Sequence, residues 1–85
     1  MFYTYIISNN DGIFYKGSTS DFEKRLEQHN AGLNHYTRGR GPWRPVFLQA
    51  FETRKEAEAL EKRLKRCNKT YLNWLVKQPV NILDR

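Results

Sequence analysis

The chain has 85 residues, a formal net charge of +6 and a pI near 9.7, with 39% hydrophobic and 14% aromatic residues. That is enough for one small domain of two packed layers, burying about 60 to 65% of the surface its unfolded form exposes, and no low-complexity tract points to disorder. Cys67 is the single cysteine, which excludes an intrachain disulfide and a cysteine-cluster zinc site, and residues 2–7 have neither the basic run nor the apolar length of a signal peptide or membrane span.

Residues 2–8 and 13–17 are rich in β-branched and aromatic side chains and flank Asn9, Asn10, Asp11 and Gly12, the pattern of a β-hairpin. A three-residue loop Asn10-Asp11-Gly12 with Gly12 left-handed makes paired positions sum to an even number. Tyr5 and Tyr15 then share one side of the sheet. Ser18, Thr19, Ser20 and Asp21 offer caps for a helix running to about Asn30, where Ala31 and Gly32 end it. At about 100° per residue, Phe22 and Leu26 mark its inward direction. Arg25 and His29 point within about 60° of that direction, while Glu23, Lys24, Glu27 and Gln28 face water. An arginine and a histidine are thus expected beside the core.

Residues 31–45 hold three glycines, two prolines, and His35, Arg38, Arg40 and Arg44, with Tyr36 and Trp43 among them, and read as a loop. Pro45 to Phe51 is an apolar run long enough for a third strand. Thr53 with Glu56 forms a capping box that opens a helix to about Arg66. In that helix Ala57, Leu60 and Leu64 make the core stripe, and Glu61 falls inside it, about 40° from Ala57. A third short helix over Lys69 to Lys77 buries Leu72, Leu75 and Trp74 before Pro79 stops it. No repeat or linker interrupts the chain. The expected architecture is an α/β domain over residues 1–85, a small three-stranded mixed β-sheet flanked by about three helices.

After residue 35 the bases Arg38, Arg40, Arg44, Arg54, Lys55, Lys62, Arg63, Lys65, Arg66 and Lys69 outnumber the acids. A polyanion partner is expected from that field, the alternative being a solvated surface that aids solubility. Membrane binding is disfavoured because the basic segments lack a wide apolar opposite face. Without disulfide or membrane signals, the protein is expected in the cytoplasm.

Over nearly its whole length the chain resembles the GIY-YIG endonucleases, specifically the small bacterial UvrC-like or YhbQ-like subgroup. The first motif is similar to Tyr3-Thr4-Tyr5 and the second to Tyr15-Lys16-Gly17. Ser18 through Arg25, His29-Asn30 and Tyr36-Thr37 follow, and the acidic element lies in Glu56-Ala57 and Leu60 through Lys65. Neither triplet is intact, since Tyr3 and Lys16 stand at departed positions, but both tyrosines and Gly17 are present. Asn81 resembles the late asparagine of the family, and pinning the C-terminus over the site is its alternative role.

The resemblance implies a metal-dependent endonuclease acting on nucleic acid, DNA before RNA, with a single Mg²⁺ or Mn²⁺ held by Glu61 together with waters and phosphate oxygens. The bland reading of Glu61 is a half-buried acid paired with Lys65 one turn on. Tyr5 is expected to deprotonate the attacking water, provided Arg25, Lys16 or the metal lowers its phenol, whose unperturbed pKa of about 10 suits a base poorly. Tyr15 would orient phosphate or water. Arg25 would hold two phosphate oxygens through its fork, and His29 would relay a proton with Tyr5. Lys16, Tyr36, Arg38, Arg40, Trp43, Arg44 and Asn81 are expected to contact nucleic acid, with the aromatic rings stacking an exposed base. His35 has no role, and Ser18 and Thr19 are read as hydroxyls at the start of a helix. A non-cleaving nucleic-acid-binding module of the same fold is the alternative reading. Either leaves room for an unidentified protein partner that supplies specificity.

Overall fold

In a computed structural model, which describes residues 1–84, the hairpin forms from strands β1 (Phe2–Ser8) and β2 (Phe14–Thr19). One residue of the expected 1–85 domain, Arg85, lies outside the described part. Asn9 builds the turn: its Oδ1 accepts from the Asp11 and Ile13 amides at 3.1 and 2.9 Å, and Gly12 takes φ +76°, a left-handed conformation that a side chain disfavours. Tyr5 pairs with Gly17 and Ile7 with Tyr15. Tyr5 and Tyr15 therefore share a face, as the even-sum register requires.

Helix α1 (Phe22–Asn30) is capped by Asp21, whose carboxylate accepts from the Lys24 amide. It ends in a Schellman turn, with the Gly32 amide on the His29 carbonyl, the Leu33 amide on that of Gln28, and Gly32 at φ +78°. Ser18 and Thr19, expected as caps, instead finish β2, so the strand runs two residues beyond the sequence expectation. Strand β3 (Arg44–Phe51), helix α2 (Arg54–Leu64, capped by Thr53 with Glu56) and helix α3 (Lys69–Leu75, capped by Asn68) complete the layers, and a 3₁₀ turn follows at Ile82–Asp84.

The sheet order is β2-β1-β3, and β1 pairs antiparallel with both neighbours. This corrects the expectation of a mixed sheet. Strands β2 and β3 do run in the same direction, but the chain passes over α1 to the far side of β1, so the two never become hydrogen-bonded partners.

Period-two alternation sends the two faces of the sheet into different layers. Ile6 and Phe47 point to α2 and α3, where they meet Leu64, Leu72 and Leu75. Tyr5 and Ile7 point to α1 and the loop before β3, where they meet Trp43, Phe22, Leu26 and Leu48. Burying such side chains contributes about 1.5–3 kcal/mol each before entropy is counted. Trp74, expected in the core, is instead 54% exposed and lies against Tyr71 with ring centroids 5.5 Å apart.

Candidate active site

Tyr5 leaves the central strand toward the edge strand β2, and the residue it must cross is Gly17. A Cβ at Gly17 would fall on the Tyr5 hydroxyl and lie 2.6 Å from its Cζ. Glycine is required here by close approach and not by backbone angle, since only a missing side chain lets the phenol lie over β2. At the end of that path the hydroxyl meets His29 Nε2 at 2.9 Å, and His29 Nδ1 meets the Thr37 hydroxyl at 2.7 Å. Tyr5, His29 and Thr37 are all buried, so water does not replace these contacts.

Burial, with the Arg25 charge second, holds the His29 imidazole below its usual pKa and so neutral. Burial, together with Tyr15 and Glu61, pushes the Tyr5 phenol upward, and Arg25 only partly opposes this. The expectation that Arg25 or Lys16 lowers the Tyr5 phenol is thereby corrected, since burial outweighs Arg25. In the resting protein Tyr5 is a phenol whose partner is a neutral imidazole.

Tyr15 is half-buried beside them, its ring centroid 5.0 Å from His29, 6.5 Å from Tyr5 and 5.4 Å from Tyr36. Arg25 is half-buried on α1, close enough to act on both Tyr5 and His29, and no carboxylate among the described residues lies within ion-pair distance of it. Its guanidinium remains available to an anion.

Glu61 arrives from the other layer. It sits on α2, behind the sheet, and reaches the same β2 edge: Oε1 accepts from the Ser18 hydroxyl at 2.6 Å and Oε2 pairs with Lys65 Nζ at 2.8 Å. Its charge acts on Tyr5, and Tyr15 acts on Lys65, so acid and phenols share one electrostatic neighbourhood although opposite faces of the sheet supply them. Among the described residues no group of three His, Cys, Asp or Glu side chains is assembled to hold a metal. A single carboxylate beside the Ser18 hydroxyl is an all-oxygen donor set, which suits a hard divalent ion that keeps most of its waters. The Lys65 side chain is 56% exposed and can swing into water to free Oε2. The residues present fit such an ion.

Tyr36 is half-exposed, the Arg40 guanidinium lies 4.9 Å from its ring centroid, and Arg38 is exposed in the same loop. Lys16 is half-buried on β2, and Arg44 is exposed at the start of β3, its Nη1 3.4 Å from Asn10 Oδ1. Two expected nucleic-acid contacts are corrected. Trp43 is 3% exposed in the α1-side core, and its indole N–H donates to the Thr37 carbonyl at 3.1 Å. Asn81 is buried with its amide fully used, Nδ2 donating to the Val46 and Val76 carbonyls at 2.8 Å and Oδ1 accepting from the Leu48 and Leu83 amides. It fastens the C-terminal segment to the edge of β3 and has no polar atom left for a ligand.

Sequence reasoning gave no role to Thr37 or to Ser18 as the partner of Glu61. Thr37 lies in a loop without periodicity, and Ser18 looked like a cap because its strand continues past the glycine.

A family model described as the GIY-YIG catalytic domain matches residues 1–73. The UPF0213 protein CPE1444 of Clostridium perfringens is 42% identical over 67 residues, covering 78% of this chain and 72% of that protein. The UPF0213 protein BH0048 of Halalkalibacterium halodurans is 39% identical over 75 residues, covering 87% and 80% respectively. The solution NMR structure of the UPF0213 protein BH0048 from Bacillus halodurans matches the fold with a TM-score of 0.61 at 36% identity, covering 94% of this chain and 87% of that one. With two phenols, an arginine, a histidine and an acid gathered at one sheet edge and the family model spanning most of the sequence, the chain belongs to the GIY-YIG family.

Proposed function

We propose that this protein is a divalent-metal-dependent endonuclease that hydrolyses phosphodiester bonds, with DNA as the preferred substrate. The GIY-YIG domains are a nuclease family, and the observation that carries the reading here is the buried Tyr5–His29–Thr37 chain, with the phenol packed over Gly17 at the β2 edge. A neutral imidazole whose Nδ1–H donates to Thr37 leaves Nε2 free to accept the Tyr5 proton. The Tyr5 oxygen then takes a proton from the attacking water as the water oxygen bonds to phosphorus and the ester oxygen leaves. Arg25 holds two phosphate oxygens through its fork and offsets the charge that builds on them. Tyr15, on the same face, orients the phosphate.

Glu61 would hold Mg²⁺ or Mn²⁺, which when bound supplies positive charge at the phosphoryl oxygens. Lys16, Arg38, Arg40 and Arg44 follow the backbone, a sequence-independent form of contact. A protein partner would supply specificity beyond it. A cytoplasmic location suits a domain whose one cysteine is unpaired, and among the described residues no helix is long and apolar enough to cross a membrane.

A second reading rests on the two contacts that occupy Glu61. If Ser18 and Lys65 hold it permanently, the acid is structural and the domain binds nucleic acid without cutting it. Incubating plasmid, single-stranded and branched DNA with Mg²⁺, Mn²⁺ or EDTA decides between them. The nuclease reading expects metal-dependent products that Glu61→Ala abolishes while binding persists. Equal binding by wild type and variant with no products from either establishes the binding module.

A further inference from the structure

The site does not end at Tyr15. Beyond it an open cleft of about 280 Å³ runs along the β2 edge, lined by Phe14, Tyr15, Lys16, Tyr36 and Lys65. Three aromatic rings and two ammonium groups line this cleft, and Lys65 is also the partner of Glu61, so cleft and acid adjoin.

Tyr36 is the unusual member. A large ring that is 49% exposed normally sits on a pliant segment, yet this one stands on a pinned loop. Asn34 Oδ1 accepts from the Tyr36 and Thr37 amides at 2.9 and 3.2 Å, Thr37 is tied to His29, and Asn9 Nδ2 donates to the Arg40 carbonyl at 3.0 Å. Asn30 holds both the amide and the carbonyl of Trp43 beyond it. The backbone that carries the ring is thus held in place before any ligand arrives, which lowers the ordering entropy of binding. It extends a series that starts in the core: His29 meets Tyr15 at 5.0 Å, Tyr15 meets Tyr36 at 5.4 Å, and Arg40 lies 4.9 Å from the Tyr36 centroid. Nucleobases stack on tyrosine rings and on guanidinium planes alike, here the Tyr36 ring and the Arg40 guanidinium that lies over it, and amines at the cleft rim suit the phosphates on either side.

Bases inside a duplex already stack on their neighbours and have no face to offer. We propose that this cleft is a subsite for one unpaired nucleotide beside the cleaved bond, with Tyr36 and Tyr15 receiving the base and Lys16 and Lys65 the flanking phosphates. The inference builds on the nucleic-acid reading above and narrows the substrate class to single strands or nucleotides extruded from a duplex.

Fluorescence anisotropy in EDTA tests it without relying on cleavage. The probes are one labelled mixed-sequence DNA strand alone, the same strand with its full complement, and the same strand with a complement lacking one nucleotide. Wild type should bind the single strand, the bulged duplex or both more tightly than the blunt duplex, the bulge telling an extruded nucleotide from a continuous strand. Tyr36→Leu should lose roughly 5- to 150-fold on the preferred probes, the range expected for one base–aromatic stack. Tyr36→Phe, which keeps the ring, should stay near wild type and guards against a folding defect. Wild type binding blunt duplex as tightly as single strand, or Tyr36→Leu weakening all probes alike or none, overturns the subsite. Tyr36-dependent binding by a protein that never cuts with any metal overturns the nuclease reading alone.

Discussion

The two faces of the sheet are built by different rules. Toward α2 and α3 the buried cluster is Ile6, Phe47, Leu64, Leu72 and Leu75, whose stabilisation comes from area removed from water, with Thr4 the polar exception, its hydroxyl donating to the Ala57 carbonyl at 2.7 Å. Toward α1 the buried set includes Tyr5, His29, Thr37 and Trp43, each with a hydrogen-bond partner. Such bonds add about 1 kcal/mol each in net stability, but leaving one unmade costs more, so they select a single arrangement. One face holds the domain together and the other holds chemistry in position. Edge strand β2 is where they meet, because Glu61 reaches it from one layer and Tyr5 from the other.

That division is open to attack by mutation. Tyr5→Phe should reduce cleavage by about 10²–10⁴-fold, the usual contribution of a positioned proton-transfer group, while urea denaturation moves by only about 1 kcal/mol. Full cleavage by this variant would remove Tyr5 from the mechanism. Leu64→Ala should do the reverse. It deletes a side chain that is 1% exposed in the apolar layer, so stability should fall by about 2–5 kcal/mol with cleavage per folded molecule unchanged.

Gly17→Ala sits where the layers join. The added methyl overlaps the Tyr5 phenol, and a stability loss of about 1–3 kcal/mol should come together with loss of cleavage. Wild-type stability and cleavage in this variant would show that the phenol has another route to the edge. Thr37→Val keeps the shape but leaves His29 Nδ1 unpaired, for a loss of about 1–3 kcal/mol in denaturation, and Thr37→Ser should restore it.

The smallest effect is in the pH dependence. His29 is held below its unfolded pKa of 6.5, so the unfolded chain binds the proton more readily. Stability should be fully present above about pH 6.5 and decline as the pH falls through that value toward the folded pKa. Urea midpoints measured above and below pH 6.5 for wild type and His29→Gln check this, and an equal acid-side decline in both would place the proton elsewhere.

Much of the fold was legible because it rests on short-range signals. Asn10-Asp11-Gly12 set the hairpin register, Asp21 and Thr53 capped the first two helices, and helical spacing put His29 beside the core. What failed depended on partners far along the chain. Trp43 and Asn81 were expected to contact nucleic acid, yet both are buried by partners far along the chain: Trp43 packs on Tyr5 and Ile7, and Asn81 ties Val46 and Leu48 of β3 to the C-terminal segment at Val76 and Leu83. The strand directions were misread for a similar reason, since no local pattern says on which side of β1 the third strand will land.

The sequence alone determined the elements, their caps and the faces of α1 and β1, because these follow from backbone periodicity and turn chemistry acting over a few residues. Only the tertiary structure decided that Tyr5 would be a buried phenol facing a neutral imidazole, and that Glu61 would reach the same strand edge from behind the sheet. Desolvation and charge coupling depend on what the folded chain packs around a group, and spacing along the sequence does not contain that information.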